Sequence, residues 1–247
     1  MTYCVGLRLN QGLVFMSDTR TNAGVDDIAT VKKMHTWQIE GERVITLMTA
    51  GNLATTQALV SLLDERSKVP EDRNPSILAA PTMFQVARLI GDTLKEVIQA
   101  NSDTGQSASS AFNATLILGG QIKGMSPRLF LIYPEGNFIE AENDTPFFQI
   151  GETKYGRPIL VRAQDPDMSF EDAVKLLIVS FDSTIKANLS VGLPLDLMTY
   201  EADSLTIGVT RRFNRDDKYV WHISNSWGKA LKKALKALPD FEFDDED

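Results

Sequence analysis

Cysteine is nearly missing from this chain of 247 residues: the single thiol is Cys4. No internal disulfide can form, and a reducing compartment is the expected setting. Cys4 itself reads as a small buried strand residue. Histidine is almost as scarce, with only His35 and His222. Neither sits in a Cys/His/Asp cluster at ligand spacing, so no metal is expected. Basic charge is in deficit, with 25 Lys and Arg against 33 Asp and Glu, a net charge of −8 and a pI near 4.9. Nucleic-acid binding needs a concentrated basic face, and only Lys229 to Lys236 is locally basic, so that role is set aside. No apolar run reaches the ~18 residues of a membrane span, and the N-terminus lacks the basic-then-apolar pattern of a signal peptide. No membrane role and a cytoplasmic location are therefore expected. A phosphate-binding loop is lacking too: Gly151-Glu152-Thr153-Lys154 has neither the first glycine nor the spacing. No cofactor is expected, and any ATPase would be a separate partner.

What is present is a series of strand signals and helix signals that fall in blocks. Tyr3 to Leu9 and Leu13 to Asp18 read as a hairpin turned at Asn10-Gln11-Gly12, followed by a polar loop, Thr21 to Asp27. Strands are expected at Val31 to Ile39 and Val44 to Thr49. Helical spacing starts after Gly51, through Leu53, Leu59 and Leu63 to Arg66, and again from Pro81 or Thr82 to Asn101. A loop, Asn101 to Ser110, precedes strands at Phe112 to Leu118, Pro127 to Tyr133 and Asn137 to Glu142, with a turn at Gly119-Gly120. Ser169 reads as the N-cap of a helix whose face includes Ala173, Leu177, Phe181 and Thr184. Strands near Asp196 to Glu201, Leu205 to Val209 and Tyr219 to Ile223 precede a terminal helix from Ser226 to Leu238. Blocks of strands and blocks of helices predict an α+β layered domain with mainly antiparallel sheets. It is expected to span residues 1–240 as one unit, with 241–247 as a solvated acidic tail.

The residue that points to chemistry is Thr2. If Met1 is removed, the α-amino group of Thr2 becomes a base on the same residue as the hydroxyl it would activate. Such an amine titrates near ~8 in reference peptides. Folding the first hairpin brings Asp18 back toward the start of the first strand, and Lys33 follows in Thr30-Val31-Lys32-Lys33. A lysine beside the threonine oxygen favours the alkoxide, and a carboxylate beside the lysine fixes and keeps its charge. Strand-end surface residues are the competing reading of Asp18 and Lys33. Gly51, where a strand meets a helix, reads equally as a turn glycine or as an amide donor to a tetrahedral oxyanion.

Taken together these residues resemble a proteasome-type β subunit, one of the N-terminal nucleophile hydrolases. The matching run is Thr2, Gly12-Leu13-Val14-Phe15-Met16-Ser17-Asp18-Thr19-Arg20, Ala23-Gly24, Val31-Lys32-Lys33 and Thr49-Ala50-Gly51; Ile150-Gly151-Glu152 resembles a later strand end. The opening Met-Thr-Tyr-Cys-Val is most similar to the bacterial group called Anbu. The resemblance implies a four-layer αββα sandwich, Thr2 as nucleophile and proton acceptor, Asp18 and Lys33 as electrostatic partners, Gly51 as oxyanion donor and Arg20 as a brace. It also implies a cleft for the substrate side chain lined by Thr21, Val31, His35 and Thr49. Where the family carries a serine and an aspartate near the terminal amine, Glu152 and Ala187 fall here, with Ser190 at a third supporting position. The interval from Asp18 is one residue shorter than in the family, which leaves Lys32 as the alternative to Lys33. The implied activity is hydrolysis of a peptide or amide through an acyl-enzyme, inside a homo-oligomer built as a ring or open spiral. A catalytically silent assembly subunit with Met1 retained, and a hydrolase of small amide or isopeptide conjugates, are the alternatives.

Overall fold

The computed structural model describes residues 1–22, 28–68, 75–102 and 112–241. Two five-stranded antiparallel sheets face one another. One has the order β10(Phe147–Gly151)-β1(Tyr3–Leu9)-β2(Gly12–Asp18)-β11(Leu195–Glu201)-β12(Thr210–Phe213). The other runs β5(Met34–Ile39)-β6(Arg43–Gly51)-β7(Ala114–Ile122)-β8(Arg128–Ile132)-β9(Phe138–Glu140). A short ribbon, β3(Arg20–Asn22) with β4(Ile28–Thr30), stands outside both. Helices α1(Leu53–Lys68) and α2(Met83–Ser102) cover the second sheet, while α3(Arg157–Ala163), α4(Phe170–Ala187) and α5(Lys218–Lys236) lie on the first.

Alternation along the strands assigns each side chain to one of three apolar layers. In β1, Tyr3, Val5, Leu7 and Leu9 face the helices with Leu177 and Phe181, while Cys4 faces the opposite sheet with Phe15, Met48 and Ile117. In β6, Ile45 and Leu47 join Leu59, Met83 and Ile90 under α1 and α2. Both faces of both sheets are buried, so the strands read as near-continuous apolar runs. The result is the four-layer αββα sandwich that the resemblance implies.

Several boundaries differ from the sequence reading. Residues 31–33 are not strand: Val31 N donates to Thr19 O (2.8 Å) and Lys33 O accepts from Thr49 N (2.9 Å), so this connector bridges the two sheets. Gly119-Gly120 is no turn, because β7 runs through it; a Cβ on Gly119 would stand 2.6 Å from Phe15 Cζ, so glycine lets the sheets approach. Leu205 to Val209 is not a strand, since Asp203 and Leu205 adopt left-handed φ values of 64° and 49° and delay β12 to Thr210. Tyr219 to Ile223 is helix, because Asp217 caps the amides of Tyr219 and Val220 and starts α5 earlier than expected. Helix α3 and the ribbon of β3 and β4 have no counterpart in the sequence reading, and of β10 it marks only the end, Ile150-Gly151. Ser169 does cap α4, accepting from Asp172 N at 3.1 Å. Ala23-Gly24, most of the two expected loops (23–27 and 103–110) and tail residues 242–247 lie outside the described residues.

Candidate active site

Thr2 is held by backbone before any side chain is considered. Its carbonyl accepts from Glu152 N at 2.7 Å, where β1 meets β10. Gly151 lies alongside with φ +84°, and a Cβ there would be 1.9 Å from the Thr2 oxygen. Only glycine permits that approach.

The hairpin delivers Asp18 to the same place. Pairing of Cys4 with Ser17 sets the register, and Asp18 Oδ1 accepts from Tyr3 N at 2.9 Å. The same oxygen accepts from Lys33 Nζ at 2.7 Å, forming an ion pair with Asp18 fully buried and Lys33 5% exposed. Lys33 Nζ also donates to Arg20 O at 2.6 Å and to Met1 O at 3.5 Å. Burial pushes the Asp18 carboxyl up, while the Lys33 ammonium and the Tyr3 amide draw it back. The lysine of this pair is Lys33; Lys32 is exposed. The short interval after Asp18 is absorbed by the connector between the sheets.

Thr2, Lys33 and Gly51 meet in one cleft of about 390 Å³, and Thr21, Val31, His35 and Thr49 line the same space. Burial and the charge of Lys32 hold the His35 imidazole below its ordinary range, with Asp64 opposing. Gly51 is not in the first helical turn: it closes β6 opposite Ala114, and Asn52 precedes α1, its side chain accepting from Thr55 N at 3.0 Å. Asn52 N donates across to Asn113 O at 3.0 Å. Because successive amides of an antiparallel strand point to opposite sides, the Gly51 N–H points away from β7, toward the edge that β5 vacates beyond Met34. Its φ of +123° and a would-be Cβ 2.3 Å from Asn113 O require glycine.

Around this centre, Arg20 Nη1 donates to Leu189 O at 2.8 Å, and its guanidinium lies where a Cβ on Gly192 would meet it at 2.5 Å. Glu152 Oε2 accepts from Asn188 Nδ2 at 2.9 Å. Asn188 Oδ1 in turn accepts from Ser190 N at 2.9 Å, and Nδ2 lies 3.8 Å from Met1 Sδ. Ser190 therefore enters through its backbone. Ala187 is exposed at the end of α4, and its neighbour Asn188 does the reaching. Asn188 was missed because an asparagine just past a helix end reads as an ordinary cap. No group of His, Cys, Asp and Glu suited to a metal ion occurs among the described residues. His222 is exposed on α5, away from the cleft.

Two facing sheets between helical layers, with a threonine at the head of an inner strand, make the architecture that of the N-terminal nucleophile hydrolases. The model of the family "Proteasome subunit" matches residues 2–192, and the chain belongs to that proteasome family, on its Anbu side. It is 47% identical to Anbu from Yersinia bercovieri, covering 98% of this chain and 99% of that one with a TM-score of 0.91. It is 44% identical to the Pseudomonas aeruginosa Anbu solved as a helical assembly, covering 99% and 100% with a TM-score of 0.90. It is 23% identical to the proteasome subunit beta of Haloquadratum walsbyi over 83% of this chain and 76% of that one. No described helix is long and apolar enough to cross a membrane.

Proposed function

We propose that this protein is a threonine-type N-terminal nucleophile hydrolase, a peptidase or amidase acting through an acyl-enzyme on Thr2 once Met1 has been removed. The observation that carries the reading is the buried Lys33–Asp18 pair set beneath Thr2 at the wall of a cleft. A buried ion pair costs desolvation energy and is weak evidence for stability alone; beside a hydroxyl it supplies a fixed positive field. Removing Met1 frees the Thr2 amine, which takes the hydroxyl proton as the oxygen attacks an amide carbonyl. The Gly51 N–H meets the developing oxyanion. The protonated amine then delivers its proton to the leaving nitrogen, and water, deprotonated by the amine, hydrolyses the ester. Arg20 braces the 189–192 segment, and Glu152, held by Asn188, offers a carboxylate to the ammonium form.

By likeness to the helical Anbu assembly of P. aeruginosa, the protein acts as a homo-oligomer in an open spiral or ring. A second reading is a silent assembly subunit with Met1 retained, in which the Thr2 nitrogen is an amide and cannot act as a base. Intact mass of protein from its native cell separates the two, because the enzyme must have lost one methionine. Treatment with a threonine-reactive β-lactone is expected to modify Thr2 and to leave Thr2→Ala unmodified. Labelling no greater than that of Thr2→Ala sinks the catalytic reading.

A further inference from the structure

The walls of the Thr2 cleft are charged asymmetrically. Among the described residues that line it there is no carboxylate, while Lys32 and Lys33 both contribute. Lys33 is neutralised by Asp18 at 2.7 Å. Lys32 is exposed and forms no ion pair among the described residues. Its charge is felt inside the cleft, where it opposes protonation of His35. Beyond Lys32 a second groove of about 320 Å³ carries Arg211 and Arg212. Each of those is paired, with Asp217 at 2.9 Å and Asp196 at 2.6 Å. Among the described residues that line the cleft, Lys32 is therefore the one charge without an ion-pair partner.

The remaining lining adds uncharged hydrogen-bonding groups. Thr56, Gln57 and Ser61 come from α1, opposite Thr21 and Thr49. A large apolar side chain seated here would strip water from these groups without replacing its hydrogen bonds. A cationic side chain would meet Lys32 with no carboxylate among the described lining residues to offset it, since Asp64, whose charge also reaches His35, stands behind the lining.

We infer that the cleft selects substrates carrying an acidic side chain, glutamate or aspartate, on the carbonyl side of the scissile amide, with Lys32 as the specificity-determining residue that pairs with it. This rests on Thr2 being the nucleophile. A charge-assisted hydrogen bond between Lys32 and the substrate carboxylate supplies roughly tenfold discrimination over a neutral isostere.

The test uses the full-length, assembled, Met1-free protein and four peptide vinyl sulfones of one common sequence ending in Glu, Gln, Leu or Lys. The rate of adduct formation at Thr2 is read by mass spectrometry. The Glu probe is expected to react about tenfold faster than the Gln and Leu probes, and the Lys probe most slowly. In Lys32→Gln the Glu and Gln probes should converge, and in Lys32→Glu the Lys probe should overtake the Glu probe. A wild-type Leu or Lys probe that matches the Glu probe overturns the inference, whatever the variants do; so does a Glu preference that survives in Lys32→Glu. An adduct in the wrong order removes only this specificity. No Thr2 adduct from any of the four removes the nucleophile reading with it.

Discussion

Two buried polar clusters flank the start of β1, and they are built to opposite plans. On the helix side, Tyr3 Oη lies 2.7 Å from Ser180 Oγ and accepts from Gln149 Nε2 at 2.6 Å, while Ser180 Oγ donates to Gly156 O at 3.1 Å. That cluster is neutral, with Gln149 Oε1 left as a buried acceptor without a donor among the described residues, and burial pushes the Tyr3 phenol up to about 12. On the other side, the Asp18–Lys33 pair is charged and opens on the Thr2 cleft. Hydrogen-bonded neutral groups hold a core together at little electrostatic cost, whereas a buried charge pair must be maintained by its surroundings. One cluster fixes where β1 lies, and the other sets a buried charge beside Thr2, the residue that precedes it.

The sharpest break between them comes from Lys33→Ala. Leaving Asp18 buried without its partner should cost about 3–5 kcal/mol in stability and reduce β-lactone labelling of Thr2 by at least about a thousandfold. Adding Asp18→Asn should recover much of the stability, measured by urea titration, and none of the labelling. Recovery of labelling in the double variant would show that the pair acts on the fold alone.

Next in size is Asn188→Ala. Glu152 loses the amide that holds it, so labelling should fall about tenfold with a shifted pH profile, while urea stability changes by less than about 1 kcal/mol. An unchanged pH profile would assign Asn188 to capping α4.

The smallest effect on chemistry belongs to Tyr3→Phe. Unsatisfying Ser180 and Gln149 should cost about 1–3 kcal/mol and leave the labelling rate within twofold. The wild type carries a pH signature that this variant removes. The folded phenol titrates near 12 and the unfolded one near 10, so the folded state binds more protons between those values. Stability is fully present below pH 10 and falls as pH rises toward 12, by about 3 kcal/mol. The wild-type slope over that range should exceed that of Tyr3→Phe, which cancels the other alkaline titrations; equal slopes would remove Tyr3 from the account.

Much of this was legible in the sequence because it is local. The first hairpin follows from apolar runs around Asn10-Gln11-Gly12, and α4 from Ser169 and its periodic face. Thr2, Asp18, Lys33 and Gly51 could be singled out by residue type, yet their convergence depends on sheet register, which composition does not encode. Asn188 and Glu152 are 36 positions apart, and nothing short of the fold joins them. The C-terminal third was misread where capping outranked propensity: β-branched and aromatic residues at Tyr219 to Ile223 suggested strand, while Asp217 nucleated helix and Val220 and Ile223 packed onto the first sheet's helical layer. Gly119-Gly120 misled in the other direction, since glycine marks close approach as well as turns.

The contact of Gly151 with the Thr2 carbonyl has a thermodynamic meaning. Chain ends fray, and a reactive group placed there would ordinarily sample many poses before each encounter with substrate. Here the strand that begins one residue later is an inner one, paired on both sides, and a glycine too small to be replaced seals the first rung. The orientational freedom of Thr2 is thus lost once, on folding, and under the proposed function no substrate encounter has to remove it again.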